Sequence, residues 1–305
     1  MRRSERGVAI VMAMGVVALA AIAATAVLSS QNAWSRRATL AAEHAQAIEL
    51  VQAGGDWARA VLSDDRRTSS VDHPGEPWAM RLPPIPVDKG ELIGRIEDQQ
   101  GLFNVNNLAS AGRLDPAQFA RFKRLLAVLG LPAPLADALA DWIDADSVPQ
   151  PGSGAEDDYY LALDPPYRTA NRPLTDIDEL ALVRGFDARV VARLAPFIAA
   201  LPGPTAVNVN TAPPEVLAAL VDGLDIAAAR LLVTRRTAAY YRTNSDFLQQ
   251  LFTGTSVPGT DIRVDSDYFL ATLLVTNGSA QARGRALLAR LDAGRWPAIV
   301  WRKSG

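Results

Sequence analysis

The sequence predicts an α+β protein: a long N-terminal helix packed on a small antiparallel β-sheet, with a large all-helical insertion splitting that sheet. Three observations carry this. Residues from Val8 to about Leu62 read as a single helix without proline. Strand-like alternation occurs in two separated places, at 90–98 and 267–302. The sequence between them changes to helices punctuated by Pro and Gly. At 305 residues the chain is long enough for two domains or one large one.

The helix comes first. From Val8 to Leu28 every residue is apolar or small except Thr25, and the next charge is Arg36. A helix crosses a bilayer with about 20 such residues, whereas a secretory apolar core is usually about 7–15. Arg2, Arg3 and Arg6 favour a cytoplasmic N-terminus. Ala24-Thr25-Ala26 leaves ordinary signal cleavage open. Beyond it the helix turns amphipathic, with apolar residues at Trp34, Ala38, Ala41, Ala45, Ile48 and Val51, then Ala58 and Leu62. Unbroken, it would be roughly 80 Å long, and only Gly54-Gly55 threatens it. Its first half suits lipid and its second half suits docking on a globular body.

The polar stretch "SDDRRTSSVDHPGEP" ends the helix. Strand candidates follow at "WAMRL" (78–82) and "GELIGRIED" (90–98), the latter with Leu92 and Ile96 on one side. Near the C-terminus "DYFLATLLVTN" (267–277) is the strongest strand signal, with a hairpin expected around Asn277-Gly278. "SAQARGRALLARLD" fits strand or helix, and "PAIVWR" (297–302) reads as a closing strand. The insertion supplies helix candidates in "DPAQFARFKRLLAVLG", "APLADALADWIDA", "DIDELALVRG", "ARVVARLAPFIAAL", "APPEVLAALVDG" and "IAAARLLVTRR". "FNVNNLAS" (103–110) and "VNVNTAPP" (207–214) form a weak internal repeat, with Asn104 and Asn208 expected to turn the chain into helices.

Composition excludes several functions. There is no cysteine and there are only two histidines, so thiol catalysis and Cys-ligated zinc are ruled out. No Ser/His/Asp set or phosphate-binding glycine loop occurs, and the chain is not expected to be an enzyme. The turns "VLGLP", "LVRGFD" and "LVDGLD" resemble helix-hairpin-helix motifs. DNA-binding versions grip phosphate through a Gly-apolar-Gly hairpin. Here Pro132, Asp187 and Asp225 replace the second glycine, and Asp there repels phosphate and caps a helix. With a net charge of -2, the expectation is no nucleic acid.

The informative polar stretch runs from "DWIDAD" to "RTAN". Asp141, Asp144 and Asp146 precede a Pro/Gly/Ser loop, and Glu156, Asp157 and Asp158 follow it. Such clustered acids repel unless a cation gathers them. Oxygen ligands without His or Cys select calcium, or less readily magnesium or manganese. Asn171 can add a carbonyl oxygen. A solvated loop that binds nothing is the other reading.

A short basic leader ending in glycine, then an uncharged helix that becomes amphipathic, resembles the class III signal of type IV pilins and pseudopilins. The resemblance implies cleavage by a prepilin peptidase between Gly7 and Val8, and methylation of the new N-terminus. Most such families carry glutamate at mature position five, where this chain has Met12; Glu5 belongs to the leader. In lacking it the chain is similar to the type II secretion minor pseudopilin family called general secretion pathway protein K. That family implies a pilin-like core with a helical, helix-hairpin-helix-like insertion and structural calcium. Asp144, Asp146, Glu156 and Asp157 are the first candidates as ligands, with Asp141, Asp158 and Asn171 behind them. The family also implies a single pass through the bacterial inner membrane, a periplasmic body, and the minor pseudopilins I and J as partners. Through them it would meet the major pseudopilin, with this subunit capping the pseudopilus.

The expected organisation is then a leader (1–7), pilin helix (8–66), first sheet part (67–103), helical insertion (104–255) and second sheet part (256–305). The alternatives are a minor pilin of a type IV pilus, or a membrane-anchored periplasmic calcium-dependent binding protein.

Overall fold

The computed structural model describes residues 4–81, 83–291 and 294–305, with side chains from Ile10 onward. Helix α1 runs from Ser4 to Thr68, and Gly54-Gly55 does not break it. Part of the expected leader, 1–3, lies outside the described residues. So does the side chain of Val8, although the backbone of Gly7 and Val8 is helical.

Two strands follow, β1 (Ile85–Val87) and β2 (Gly90–Asp98). The expected strand at 78–82 does not form among its described residues, 78–81. Pro77–Ala79 is a 3-10 turn instead, because Glu76 Oε2 accepts hydrogen bonds from the His73 amide at 2.9 Å and from Trp78 Nε1 at 2.8 Å. Trp78 thereby meets Phe269 edge-on at 5.1 Å in the core. The edge strand is "IPV" further on, where Pro86 is tolerated because an edge leaves one side unpaired.

The chain then leaves the sheet. The insertion begins with three two-residue strands, β3 (Phe103–Asn104), β4 (Ala109–Ser110) and β5 (Arg113–Leu114). Helices α2 (Pro116–Val128), α3 (Pro134–Ile143), α4 (Asp157–Tyr160) and α5 (Ala188–Leu194) come next. After β6 (Ile198–Ala199) and β7 (Val207–Asn208) come α6 (Pro214–Leu220), α7 (Ile226–Ala238), α8 (Asn244–Gln249) and β8 (Ile262–Arg263). The insertion is therefore helical but not all-helical. "DIDELALVRG" makes a 3-10 helix rather than an α-helix. "ARVVARLAPFIAAL" stops at Leu194, since Pro196 has no amide to continue the ladder. Helix α8 had a readable signal in its capping box, Thr243 with Asp246.

The Asn-Val-Asn repeat is built twice in the same way. Strand β3 pairs parallel with β6, and β7 pairs parallel with β8. Asn104 Oδ1 accepts from the Asn106 amide and Asn208 Oδ1 from the Asn210 amide. Asn106 accepts from the Leu174 amide, and Asn210 from that of Tyr241, each at 2.8 Å. A buried amide side chain thus replaces the backbone partners a longer strand would supply. One continuous apolar core, including Phe103, Phe122, Leu139, Leu217, Leu232 and Phe247, runs through both repeats. Asp187 and Asp225 cap α5 and α7 through their carboxylates, as their positions after Gly185 and Gly223 predict.

The sheet resumes with β9 (Tyr268–Asn277), β10 (Ala280–Ala289) and β11 (Ala298–Ser304), in the order β1-β2-β9-β10-β11. All neighbours are antiparallel, and the hairpin turns at Gly278, where φ is +60°. "SAQARGRALLA" is strand because it sits between β9 and β11; neighbours override its mixed propensity. Leu92, Leu273, Val275 and Ala282 on the inner face pack against Ala47 and Val51 of α1. Further along, Ile96, Ala271, Ala286 and Leu288 pack against Ala58 and Leu62.

Val51 is therefore spent on the molecule's own sheet, at 6% exposure, and is corrected from the expected partner-binding stripe. Ile48 is half-buried beside it, whereas Trp34, Ala38, Ala41 and Ala45 are exposed. The buried line is Glu43, Ala47, Val51, Gly54, Ala58, Leu62 and Asp65. Any Cβ on Gly284 would collide with Val51 Cγ1. Gly284→Ala is expected to cost about 1–3 kcal/mol, typical of overpacking, read as a lowered denaturation midpoint with unchanged slope.

Candidate functional site

Six of the seven predicted acidic-loop residues lie at the turns around α3 and α4, and Asn171 lies on the segment that returns past them. The structure sorts them into different tasks. Asp141, fully buried near the end of α3, accepts the Ala155 amide at 2.7 Å and the Gln150 amide at 3.0 Å. It ties down the loop, and Gly154 is needed because any Cβ there would strike the Asp141 carboxylate. Asp157 is also engaged, through the Thr169 amide at 3.0 Å and the Arg168 guanidinium at 2.7 Å. Asp158 is exposed. These three are not brought into the common cluster.

Asp144, Asp146 and Glu156 are. One carboxylate oxygen from each lies within 4.8 Å of the others. Asp144 is 1% exposed and Glu156 is 7% exposed, and all four of their carboxylate oxygens lack a hydrogen-bond partner. Buried polar oxygens are almost always paired, so four orphans at one place call for a ligand. Asn171, held at φ +47°, donates from Nδ2 to the Asp146 carbonyl at 3.3 Å, and its own Oδ1 is a fifth buried orphan. An oxygen-only donor set of this kind can hold a hard divalent cation.

Burial is the main cause that raises the Asp144 carboxyl to about 7, with the charges of Asp146 and Asp141 adding to it. Glu156 is likewise raised to about 7 by burial and then by Asp141. Asp141 is raised to about 6 by burial, against the pull of its two amide donors. An acid raised in the folded state favours folding fully below the ordinary carboxylate range and loses that contribution as pH rises through its folded value. In chelator, the protein is therefore expected to lose stability as pH rises from about 4 to about 7. Asp144→Ala with Glu156→Ala should flatten that slope, measured by thermal melts of the wild type and the double variant.

A second acidic cluster was missed by sequence reasoning. Asp65, Asp72 and Glu76 also place carboxylate oxygens within 4.8 Å of one another. Here a cation is already supplied: the buried Arg290 guanidinium reaches Asp65 and Asp72 at 2.6 Å each. It also donates to the Ser266 carbonyl at 2.9 Å and lies 4.6 Å over the Phe269 ring. Its acids fall in a stretch that reads as a polar linker, and the only signal was an arginine at the end of an apolar strand. Divalent cations thus have two acidic candidates among the described residues, of which the loop cluster alone is without a positive partner.

At the other end of the molecule, the span from Ile10 onward contains an 18-residue window of mean hydropathy 2.5, none of it buried in the fold. By length and composition it can cross a membrane.

A single apolar anchor continuous with a helix laid on an antiparallel sheet defines a membrane-anchored, pilin-like subunit, here enlarged by an inserted double-repeat domain. Two family models match it, both described as type II secretion system protein K, at residues 101–203 and 207–263. Each covers one Asn-Val-Asn repeat. Type II secretion system protein K of Pseudomonas aeruginosa is 36% identical, over 97% of this chain and 91% of its own length. That of Klebsiella pneumoniae is 33% identical over 100% of this chain and 98% of its own. Among solved structures, a chain of the GspK-GspI-GspJ complex from the enterotoxigenic Escherichia coli Type 2 Secretion System superposes with a TM-score of 0.79. It shares 28% identity and covers 88% of this chain and 99% of that one. The chain belongs to the type II secretion system protein K family. Membership makes it a structural, non-catalytic component of secretion.

Proposed function

We propose that this chain is the minor pseudopilin that caps the type II secretion pseudopilus, held in the bacterial inner membrane by α1 with its body in the periplasm. The observation that carries this is its superposition over 88% of its length on a chain solved within a GspK-GspI-GspJ complex. Subunits of the I and J types are accordingly its direct partners, and the major pseudopilin is reached through them. Trp34, Ala38, Ala41 and Ala45, exposed at and beyond the end of the sheet, are the contact face on α1, with Ile48 at its margin.

Two features favour the tip. Met12 offers no carboxylate for the N-terminal amine of a neighbouring subunit, and an intramembrane carboxylate is costly unless partnered. An inserted domain of this size should also obstruct the docking of a further subunit on top. Immunogold labelling is expected at one end of each fibre; label along the shaft would refute the placement.

Processing between Gly7 and Val8 by prepilin peptidase is part of the same reading. Gly7→Leu is expected to leave full-length precursor in the membrane, and N-terminal sequencing of the wild type should begin at Val8. A mature chain beginning near Val27 would mean ordinary signal cleavage and no assembled subunit.

The cation at Asp144, Asp146 and Glu156 is calcium in this reading, with the Asn171 carbonyl oxygen as a further ligand. Two ligands at about 2.4 Å on opposite sides of a calcium ion stand about 4.8 Å apart, a span compatible with the spacing of the three carboxylates. Its role is structural: it closes the loop that Asp141 and Asp157 have already folded around it.

A further inference from the structure

The face of the sheet turned away from α1 carries an open groove of about 900 Å³. Strand register builds it. Arg95, Thr272, Arg285 and Lys303 line up across β2, β9, β10 and β11. The neighbouring row on the same face holds Ile93, Leu274 and Arg283. On the other side of the arginine row, Leu287 is covered by Ala199 and Leu201 of the insertion. The insertion thus stops short and leaves a step. Ile93 is 39% exposed in it, with Leu274 and the backbone of Gly94 and Gly284 beside it.

The groove's side-chain charge is one-sided, and Gly305, whose carbonyl accepts from the Arg283 amide at 2.8 Å, lies among it. Arg81, Arg95, Arg283, Arg285 and Lys303 line it, and no carboxylate side chain does. Like charges directly opposite on neighbouring strands are destabilising, and Arg285 stands opposite Lys303. That pair is offset from the insertion by Asp178, at 2.9 Å from each, and by Asp176. Arg95 is paired with Glu97. Arg81 and Arg283 have no carboxylate partner among the described residues. In a protein of net charge -2 this concentration of cations is local.

We propose that the groove receives an extended acidic segment of a partner polypeptide, lying across the strands, with carboxylates on Arg81 and Arg283 and an aliphatic side chain on Ile93 and Leu274. A peptide fits better than a lipid headgroup because the cations are spread along the groove. Arg95 and Arg283 stand two strands apart, about 10 Å between backbones, so the cations are spaced for successive charges rather than clustered around one. Carboxylates on alternate residues of an extended chain recur about every 6.8 Å and can meet successive cations. The shallow aliphatic floor takes a branched side chain rather than an acyl tail. This surface lies on the opposite face of the sheet from α1, and its use depends on neither the cation nor the fibre tip.

The test uses the full chain in detergent micelles and a fluorescein-labelled peptide alternating glutamate with valine, read by fluorescence anisotropy. Saturable binding is expected, weakening with salt, and the same peptide with lysine for glutamate should not bind. Arg81→Glu with Arg283→Glu should raise Kd roughly tenfold or more, since like charges then face each other. Arg302→Glu, on the opposite face, should leave it unchanged. The milder pair Arg81→Gln and Arg283→Gln guards against misfolding, with circular dichroism as the check. Equal binding of both peptides, no saturable binding of the acidic one, or an unaltered Kd in both double variants would overturn the proposal. So would binding confined to phosphatidylglycerol vesicles, which would make the groove a lipid surface.

Discussion

Calcium is expected to raise the melting temperature of the full-length protein, and Asp144→Ala combined with Glu156→Ala to abolish the rise. A ligand that binds only the folded state at a hundredfold excess over Kd stabilises by about 2.7 kcal/mol. In a domain of 150–250 residues that is about 5–10 °C. The sign in chelator is more diagnostic than the size. Asp144 and Glu156 bury four oxygens that have no partner, and unpaired buried charge costs stability. Without metal the double variant should therefore melt at or above the wild type at neutral pH, while with calcium it should melt well below it. Asp158→Ala, at an exposed position, serves as the control and should change neither curve. Identical wild-type curves with calcium and with chelator would mean that the loop holds no cation.

Arg290→Met is expected to be the most damaging single substitution outside the apolar core. Removing one partner of a buried ion pair typically costs about 3–5 kcal/mol, because the other charge stays buried and unpaired. Here two carboxylates would be stranded, with Asp65 5% and Asp72 2% exposed at their side chains. Burial already raises Asp72 to about 7 even with the guanidinium beside it. The cluster ties three parts together: Asp65 in the last turns of α1, Asp72 in the following connection, and Arg290 just after β10. Asp72 Oδ2 also accepts the Ser266 amide at 2.7 Å, and Asn208 of the second repeat donates to the Asp72 carbonyl at 3.1 Å. Loss of Arg290 should loosen the insertion against the pilin-like core, seen as faster amide exchange at 65–72 and 264–267. Arg290→Lys should restore only part of the loss, since an ammonium cannot reach both carboxylates in a planar fork. Adding Asp65→Asn and Asp72→Asn to Arg290→Met should recover stability. If Arg290→Met melts like the wild type, the cluster is not a clamp.

Much of this protein is written in local sequence. The apolar run from Val8 to Leu28 sets a membrane helix by length alone, because nothing but lipid or a partner can cover it. The alternation in 90–98 and 268–277 selects strands because one face is buried and the other is not. Asp187 and Asp225 after their glycines determine helix starts, and the acids around the Pro/Gly loop determine that a cation site can be considered.

Which of those acids face one another was decided only in three dimensions. Asp141 and Asp157 have the same charge and lie in the same stretch as Asp144 and Glu156, yet backbone amides claim the first pair and leave the second bare. The same holds for α1, where the stripe read from spacing included Val51 as a contact for partners. The sheet takes Val51 because Gly284 leaves room for it. The partners of Arg290 were illegible for a related reason: they lie 218 and 225 residues away. Periodicity and capping act within a few turns of chain, so they can fix elements and ends. Pairings across hundreds of residues depend on which surfaces the closed sheet brings together, and only the folded chain specifies them.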